Sequence, residues 1–209
     1  MVSVQLRREL QRAVAYLQGG GVVAFPTDTF YGLGADVYSE EAVSRVFRIK
    51  GKGTDGSLPV LLADTSGLSE VAVSIPTAAW QLAEWFWPGP LTLVLERAEA
   101  IPATVSGGRS TVGVRVPDNP LARALVRELG RPITGTSANP TGLSPATSAA
   151  EVRSQLGDAV DYVLDGGTCP GGQPSTVLDL TGPRPRILRS GKLPLDALQP
   201  FFPRPFHLR

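Results

Sequence analysis

The order of the helix and strand patterns constrains the fold of this chain more than any other feature of its sequence. Short apolar runs typical of buried strands are interspersed with amphipathic segments that have helical spacing. The predicted strands are Val22–Phe25, Leu58–Leu62, Leu91–Leu95, Val112–Val116, Ile133–Thr136, Val160–Leu164, Thr176–Leu180 and Arg186–Arg189, and the predicted helices lie within 6–17, 39–50, 77–86, 120–129 and 148–156. Because strands and helices do not alternate strictly, the pattern predicts an α/β chain of the α+β type, with a mixed β-sheet flanked by helices.

Length and composition predict one globular domain over residues 1–209. The chain is long enough to bury a core, and its 42% hydrophobic and 19% charged residues are ordinary for a folded domain. No apolar run approaches the roughly 20 residues that span a bilayer. The N-terminal segment is amphipathic rather than signal-like, so we expect a cytoplasmic location and no membrane partner.

The few reactive side chains exclude several kinds of chemistry. Cys169 is the only cysteine, which excludes an internal disulfide and cysteine-based zinc or redox motifs. His207, near the C-terminus, is the only histidine, so a Ser-His-Asp triad and the common histidine-ligated zinc sites are excluded as well. We therefore expect neither zinc nor an organic cofactor, and catalysis by positioning, cations, hydroxyls and carboxylates.

The charge distribution gives little support for a general nucleic-acid-binding protein. The net charge is only +1, and the basic excess is confined to residues 181–209, which hold six basic residues and one acidic residue. A general binder would carry a larger basic surface.

Four hydrogen-bonding residues follow the first predicted strand, within FPTDTFYGLG at 25–34. They are Thr27, Asp28, Thr29 and Tyr31. Polar groups that become buried at the end of a strand need hydrogen-bond partners, so this cluster favours recognition of a small polar ligand. The alternative is a capped loop in which the tyrosine ring only packs. Neither a GxGxxG fingerprint nor a GxxxxGK[ST] loop is present, so a bound nucleotide would be held by another device.

Two further segments carry groups that suit phosphates. Lys50 and Lys52 end a predicted helix in KGKGTDGS, where two ammonium groups could stabilise a leaving group; the alternative is a solvated loop. Ser137 and Asn139 follow a predicted strand and suit phosphate or ribose oxygens, although both residue types also favour turns for local reasons.

Arg115 lies in the predicted strand VGVRVP. Strand alternation would place it with Gly113 on one face, where a guanidinium could bind a carboxylate through two parallel hydrogen bonds. The alternative is an exposed strand cation.

Taken together and in this order, the segments PTDTFYGLG, RIKGK, FWPGPLTLVL, VGVRVP, TSANPTG, GGQPSTVLDL and RILRSG resemble the YrdC/Sua5 family of threonylcarbamoyl-AMP synthases. The resemblance runs from about residue 10 to residue 192 and is to the short single-domain form; the tail, 203–209, is expected to be loose. It implies a YrdC-like twisted sheet with a large concave cleft. It also implies that L-threonine, bicarbonate and ATP give threonylcarbamoyl-AMP and pyrophosphate, for N6-threonylcarbamoyladenosine at position 37 of tRNA.

The resemblance also implies site residues and partners. The ATP side would be Lys50, Lys52, Gly56, Thr111, Ser137, Asn139, Pro145 and Arg189, the threonine side would be Thr29, Tyr31, Leu61, Arg115, Gly135 and Ser175, and Lys50 and Lys52 would act in catalysis. Mg²⁺ would arrive with ATP, held by phosphates and water rather than by a protein metal site. The other partners would be proteins that transfer the threonylcarbamoyl group to tRNA, and weak RNA binding is compatible with this interpretation.

The chain departs from the family pattern at four positions. Lys52 replaces the arginine of Lys-x-Arg, Gly53 replaces a proline, Gly56 a polar residue, and Leu61 a histidine found in some members. Two alternatives stay open: a non-catalytic double-stranded RNA-binding, tRNA-binding or ribosome-assembly protein that uses the same cleft, and transfer of a carbamoyl group to another acceptor.

Overall fold

A computed structural model describes residues 4–51, 56–202 and 207–208 of the chain. Its α-helices are Val4–Gln18 (α1), Glu40–Lys50 (α2), Leu68–Val71 (α3), Thr77–Phe86 (α4), Ala103–Ser106 (α5), Pro120–Leu129 (α6), Ala149–Leu156 (α7) and Leu195–Leu198 (α8). Short 3-10 helices cover Thr65–Gly67, Gly157–Ala159 and Gln199–Phe201. Within the described ranges, no helix combines the length and apolarity needed to cross a membrane.

The described strands form two sheets, both mixed. They are Val23–Phe25 (β1), Gly32–Gly34 (β2), Val60–Leu61 (β3), Ala72–Val73 (β4), Leu91–Arg97 (β5), Thr111–Arg115 (β6), Ile133–Thr134 (β7), Thr136–Ser137 (β8), Tyr162–Val163 (β9), Thr176–Asp179 (β10), Arg186–Arg189 (β11) and His207–Leu208 (β12). The smaller sheet has the order β8-β2-β1-β9, and the larger has the order β12-β11-β10-β5-β6-β3-β7, with β4 paired to β5. Parallel and antiparallel pairs occur in each sheet, as the irregular alternation of elements predicts.

Helical periodicity explains how α1 and α6 cover one side of the smaller sheet. Leu10 and Leu17 of α1 share a buried cluster with Leu121 and Leu125 of α6 and with Phe25 of β1. The two leucines lie seven positions apart in α1 and four positions apart in α6, so they fall on one face of each helix. The apolar faces of both helices are thus buried against the strand that leads into FPTDTFYGLG.

The sheet prediction is wrong in one respect, because the strands divide between two sheets rather than one. The predicted strand Ile133–Thr136 is two strands: β7 pairs with β3 of the larger sheet, and β8 pairs with β2 of the smaller sheet. Gly135 joins them where the chain passes Leu61. A Cβ atom built on Gly135 would lie 2.3 Å from Leu61 Cγ. The crossing therefore depends on a residue without a side chain.

The C-terminal tail differs in part from the expected loose segment. Residues 203–206 and 209 lie outside the described residues. His207–Leu208, however, pairs in parallel with Arg186 and Ile187 of β11. The backbone groups of an edge strand are available for such pairing. A strand of two residues is too short to be predicted from its apolar pattern.

Candidate active site

A cavity of 740 Å³ lies over one face of the larger sheet. Strand alternation along β6 places Thr111, Gly113 and Arg115 on this face, while Val112 and Val114 point into the core. The smaller sheet and its flanking loops supply the facing wall. The cavity is therefore shaped by both sheets.

Ten of the predicted site residues line this one cavity. They are Thr29, Tyr31, Leu61, Thr111, Arg115, Gly135, Ser137, Pro145, Ser175 and Arg189. Gly56, Lys50 and Asn139 are described but are not among its lining residues. Lys52, like Gly53, lies outside the described residues. The structure thus brings together the whole of the predicted threonine side and half of the predicted ATP side.

Arg115 is a buried strand cation, only 7% exposed, so its interpretation as an exposed cation is wrong. Its Nε donates to the carbonyl of Gly89 at 2.9 Å, and its Nη2 donates to Asp28 Oδ1 at 2.5 Å. Burial lowers the pKa of Arg115, and the Asp28 charge opposes that effect. Nη1 is 3.5 Å from Thr29 Oγ1. Asp28 takes up one N–H of Nη2, and Nη1 lies beside Thr29, a residue that also lines the cavity.

Ser175 and Arg189 form a second polar group on the cavity wall. Arg189 Nε and Nη2 donate to the Ser175 carbonyl at 3.0 and 2.9 Å, and Nη2 also donates to Ser175 Oγ at 3.0 Å. Ser175 Oγ lies 2.9 Å from Thr92 Oγ1. Burial and the nearby charge of Arg115 lower the pKa of Arg189. Two neighbouring guanidinium groups make this end of the cavity attractive to an anion.

The loop after β1 is ordered by Thr27. Its Oγ1 donates to the Phe30 carbonyl at 2.7 Å, accepts from the Thr29 amide at 3.1 Å and lies 3.1 Å from Thr29 Oγ1. Thr27 and Thr29 are both buried. The Thr29 hydroxyl is consequently held beside Arg115 on the cavity wall.

Lys50 reaches the site through Ser137 rather than directly. The side chain is 5% exposed, so a solvated surface lysine is ruled out. Its Nζ donates to the Ser137 carbonyl at 2.7 Å, to Ser137 Oγ at 3.2 Å, to the Asn139 carbonyl at 2.5 Å and to Asn139 Oδ1 at 3.0 Å. Asn139 Nδ2 continues the network to the carbonyls of Pro140 and Leu143. This ammonium group fixes the turn that follows β8.

Tyr31 anchors the glycine-rich loop 166–175. Its hydroxyl donates to the Gly167 carbonyl at 2.8 Å and accepts from the Gly166 amide at 3.3 Å. Burial, with a smaller effect of the Asp165 charge, raises the pKa of Tyr31 to about 12. The Gly171 amide donates to the Thr29 carbonyl at 2.8 Å. The loop is thereby attached to the segment that carries Thr29.

Several lining residues are not predicted by the sequence motifs. They include Ser57, Thr92, Val94, Arg109, Asp179, Thr181 and Arg186. The alternation that identifies Arg115 would also place Thr92 and Val94 on one face of the strand over 91–97. The motif that contains Asp28 gives this residue no distinct role, because its ion pair with Arg115 joins positions 87 residues apart.

The carboxylates near the cavity are already bound by protein groups. Asp179 is the one acidic residue among the described lining residues; its oxygens accept from the Thr181 amide and hydroxyl and from Arg186 Nη2 at 2.6 Å. In the described part of the chain, no group of three or more His, Cys, Asp and Glu side chains is arranged to hold a metal ion.

Comparisons with known proteins identify the family to which this chain belongs. The family of Sua5, YciO and YrdC proteins, described as telomere recombination, matches residues 15–191. The chain belongs to this family. Among individual proteins, the threonylcarbamoyl-AMP synthase of Pyrococcus abyssi (strain GE5 / Orsay) is 41% identical over 191 residues, which are 91% of this chain and 56% of that protein. The chain thus spans little more than half the length of that relative.

Two further relatives of this Sua5/YciO/YrdC chain are informative. A putative threonylcarbamoyl-AMP synthase of Mycobacterium tuberculosis (strain ATCC 25618 / H37Rv) is 38% identical over 194 residues and is covered to 89% of its length, with 93% of this chain. The crystal structure of P. abyssi Sua5 complexed with L-threonine superposes with a TM-score of 0.92 at 40% identity, over 96% of this chain and 58% of that one. The YrdC-like fold expected from the motifs is confirmed.

Proposed function

We propose that this chain is a nucleotidyltransferase that forms threonylcarbamoyl-AMP and pyrophosphate from L-threonine, bicarbonate and ATP. The observation that carries the proposal is one cavity of 740 Å³ lined by residues predicted for both the amino-acid and the nucleotide side. The names of the relatives from P. abyssi and M. tuberculosis, and the L-threonine complex of P. abyssi Sua5, support the same activity.

The chemistry suits the side chains that are present. The threonine amine attacks bicarbonate, and loss of water leaves a carbamate. A carbamate oxygen then attacks the α-phosphorus of ATP, the bond to the bridging oxygen breaks, and pyrophosphate leaves. In-line displacement at phosphorus depends mostly on positioning and charge stabilisation. Buried cations and hydroxyls supply both, and neither step needs a thiol or an imidazole.

In this proposal the anionic groups are divided between two parts of the cavity. The guanidinium group of Arg115 faces the threonine carboxylate with the Thr29 hydroxyl beside it, and Arg189, which is bonded to Ser175, lies toward the nucleotide phosphates. Ser137, held by Lys50, faces the nucleotide. Mg²⁺ enters as the complex with ATP, since the Asp179 carboxylate is already bound by Thr181 and Arg186.

The product is a mixed anhydride and must be consumed by an acyl-transfer reaction. We propose that partner proteins transfer its threonylcarbamoyl group to adenosine 37 of tRNA, as the family resemblance implies. Weak binding of RNA by this chain stays a prediction.

Pyrophosphate release tests the proposal directly. We expect release that requires L-threonine, bicarbonate and Mg²⁺-ATP together, and a product with the mass of threonylcarbamoyl-AMP. The variant Arg115→Ala should lose threonine-dependent release. The matched control is Arg131→Ala, because Arg131 is exposed and pairs with Asp36 at 3.0 Å, away from the cavity.

Two results would contradict this function. Release that ignores threonine or bicarbonate would exclude the proposed reaction. No release, combined with tight binding of double-stranded RNA that weakens steeply with salt, would favour the non-catalytic RNA-binding alternative.

A further inference from the structure

Asp28 is bound by three residues from two segments that are distant from it in sequence. Its Oδ1 accepts from Arg115 Nη2 at 2.5 Å and from the Asp118 amide at 3.0 Å, and its carbonyl accepts from Lys192 Nζ at 2.7 Å. These contacts tie the loop after β1 to the end of β6 and to the segment after β11. Asp28 is therefore held in place by two segments that are distant from it in sequence.

The ion pair between Asp28 and Arg115 is buried. The two side chains are only 10% and 9% exposed. The second carboxylate oxygen, Oδ2, is also buried and has no hydrogen-bond partner among the described residues. Arg115 is thus the main charge that compensates Asp28. Removing one member of such a pair leaves the other uncompensated in a poorly solvated place.

Asp28 and Gly89 together fix the orientation of the Arg115 guanidinium. Gly89 accepts from Nε and Asp28 accepts from Nη2, so the plane of the group is fixed by two hydrogen bonds to different segments. Nη1 remains beside Thr29 Oγ1 at 3.5 Å. A guanidinium held in one orientation loses less rotational freedom when it binds a carboxylate.

We propose that Asp28 is a positioning residue for amino-acid recognition, which holds Arg115 so that Nη1 binds the substrate carboxylate next to Thr29. This inference rests on the proposed function and adds a residue to the threonine side of it. Asp28 does not line the cavity, so it acts through Arg115 rather than by touching the substrate.

Two opposite effects of Asp28 make the proposal testable. If Asp28 only partly neutralised the positive charge of Arg115, removal of Asp28 would strengthen the binding of a substrate carboxylate. If it positions Arg115, its removal weakens binding, because the guanidinium is released from its orientation. The sign of the change in threonine affinity therefore separates the two roles.

The experiment is calorimetric binding of L-threonine and of a non-hydrolysable ATP analogue to the full chain and to Asp28→Ala. We expect the threonine dissociation constant to rise by at least about tenfold, which is typical for loss of a charged hydrogen bond, and that of the ATP analogue to change by less than about twofold. The preference for L-threonine over L-threoninamide should narrow as well, since it reports carboxylate recognition. A general loss of structure would not produce that selective change.

Asp36→Ala is the matched control. Asp36 is also a buried aspartate that pairs with an arginine, Arg131, and accepts from a backbone amide, that of Tyr38 at 3.0 Å. It lies outside the cavity lining. We expect it to leave threonine affinity unchanged. Asp28→Asn, which keeps the size of the side chain and one acceptor, serves if Asp28→Ala does not fold, and its threonine affinity should also fall.

A double-mutant cycle with Arg115→Lys tests whether Asp28 acts through Arg115. We expect Asp28→Ala to add little to the loss caused by Arg115→Lys, because the oriented group is already gone. Fully additive losses, tighter threonine binding, or an equal loss of ATP binding would overturn the inference while leaving the proposed function intact. Absence of threonine binding by the unaltered chain would instead overturn the proposed function, and this inference with it.

Discussion

Replacement of Lys50 by methionine tests what a buried ammonium group does in this protein. Methionine preserves most of the length and volume of lysine but removes the donor. The four oxygens of Ser137 and Asn139 that accept from Nζ then lose this partner, within a site where Lys50 is 5% exposed. The variant therefore isolates the hydrogen bonds from the packing.

The expected cost follows from those four acceptors. The two side-chain oxygens can turn toward other donors, and the Ser137 carbonyl keeps a hydrogen bond from the Asn139 amide at 3.0 Å, whereas the Asn139 carbonyl cannot turn and loses the Nζ donor. Each buried carbonyl left without a partner costs about 1–3 kcal/mol. Burial of the methionine side chain in place of an ammonium group returns about 1–2 kcal/mol. The Asn139 carbonyl and the lost charge-assisted hydrogen bonds to the other three oxygens together outweigh this gain, so we expect Lys50→Met to lower the free energy of unfolding by about 1–3 kcal/mol.

Urea unfolding, monitored together with pyrophosphate release, measures both consequences. The midpoint should fall with an unchanged slope, and turnover should fall at least about tenfold because Ser137 loses its orientation. Arg48→Met, an exposed position on the same helix, is the control and should change stability by no more than about 0.5 kcal/mol. A decrease in the free energy of unfolding below about 1 kcal/mol for Lys50→Met would refute the reasoning, because it would show that the oxygens bound to Nζ do not depend on the ammonium group.

Two further substitutions test the close approach of Gly135 to Leu61 and the hydrogen bonds accepted by Asp161. Gly135→Ala should lower the free energy of unfolding by about 1–3 kcal/mol and weaken threonine binding, because the added Cβ would approach Leu61 Cγ to 2.3 Å. Chemical denaturation and calorimetry measure the two effects, and adding Leu61→Ala should restore the binding. Full stability of the single variant would contradict this prediction. Burial opposes ionisation of Asp161, but hydrogen bonds from Arg45 and the Val22 amide outweigh it, so the pKa of Asp161 is lowered. Asp161→Asn should thus lower the free energy of unfolding by about 1–2 kcal/mol at pH 7. The difference in this free energy between the two proteins should shrink as the pH falls below about 4 and through the lowered pKa. A difference that stays constant down to about pH 2 in urea titrations would contradict this assignment.

The local sequence pattern was sufficient to predict elements whose ends are determined by neighbouring residues. The helix Thr77–Phe86 has the predicted bounds, because Pro76 precedes it and Pro88 follows closely. The face of β6 that carries Arg115 was also predictable, since alternation in a strand has a fixed period of two.

Features that depend on distant contacts were not predictable from local pattern. The four-residue run over 133–136 reads as one strand, and its division between two sheets is decided by pairing with β3 and β2. The burial of Lys50 depends on a turn almost ninety positions away. Its position at the end of a helix is equally typical of solvated lysines, so the motif alone left both interpretations open.

The phenol of Tyr31 has a consequence for the conditions under which the cavity keeps its shape. Carbamylation consumes a free amine, so the proposed reaction gains from mildly alkaline solution. A pKa of about 12 leaves this phenol protonated there, and its bond to the Gly167 carbonyl persists. The loop bearing Ser175 is thus fastened by a donor that does not titrate over the range in which the substrate amine becomes reactive.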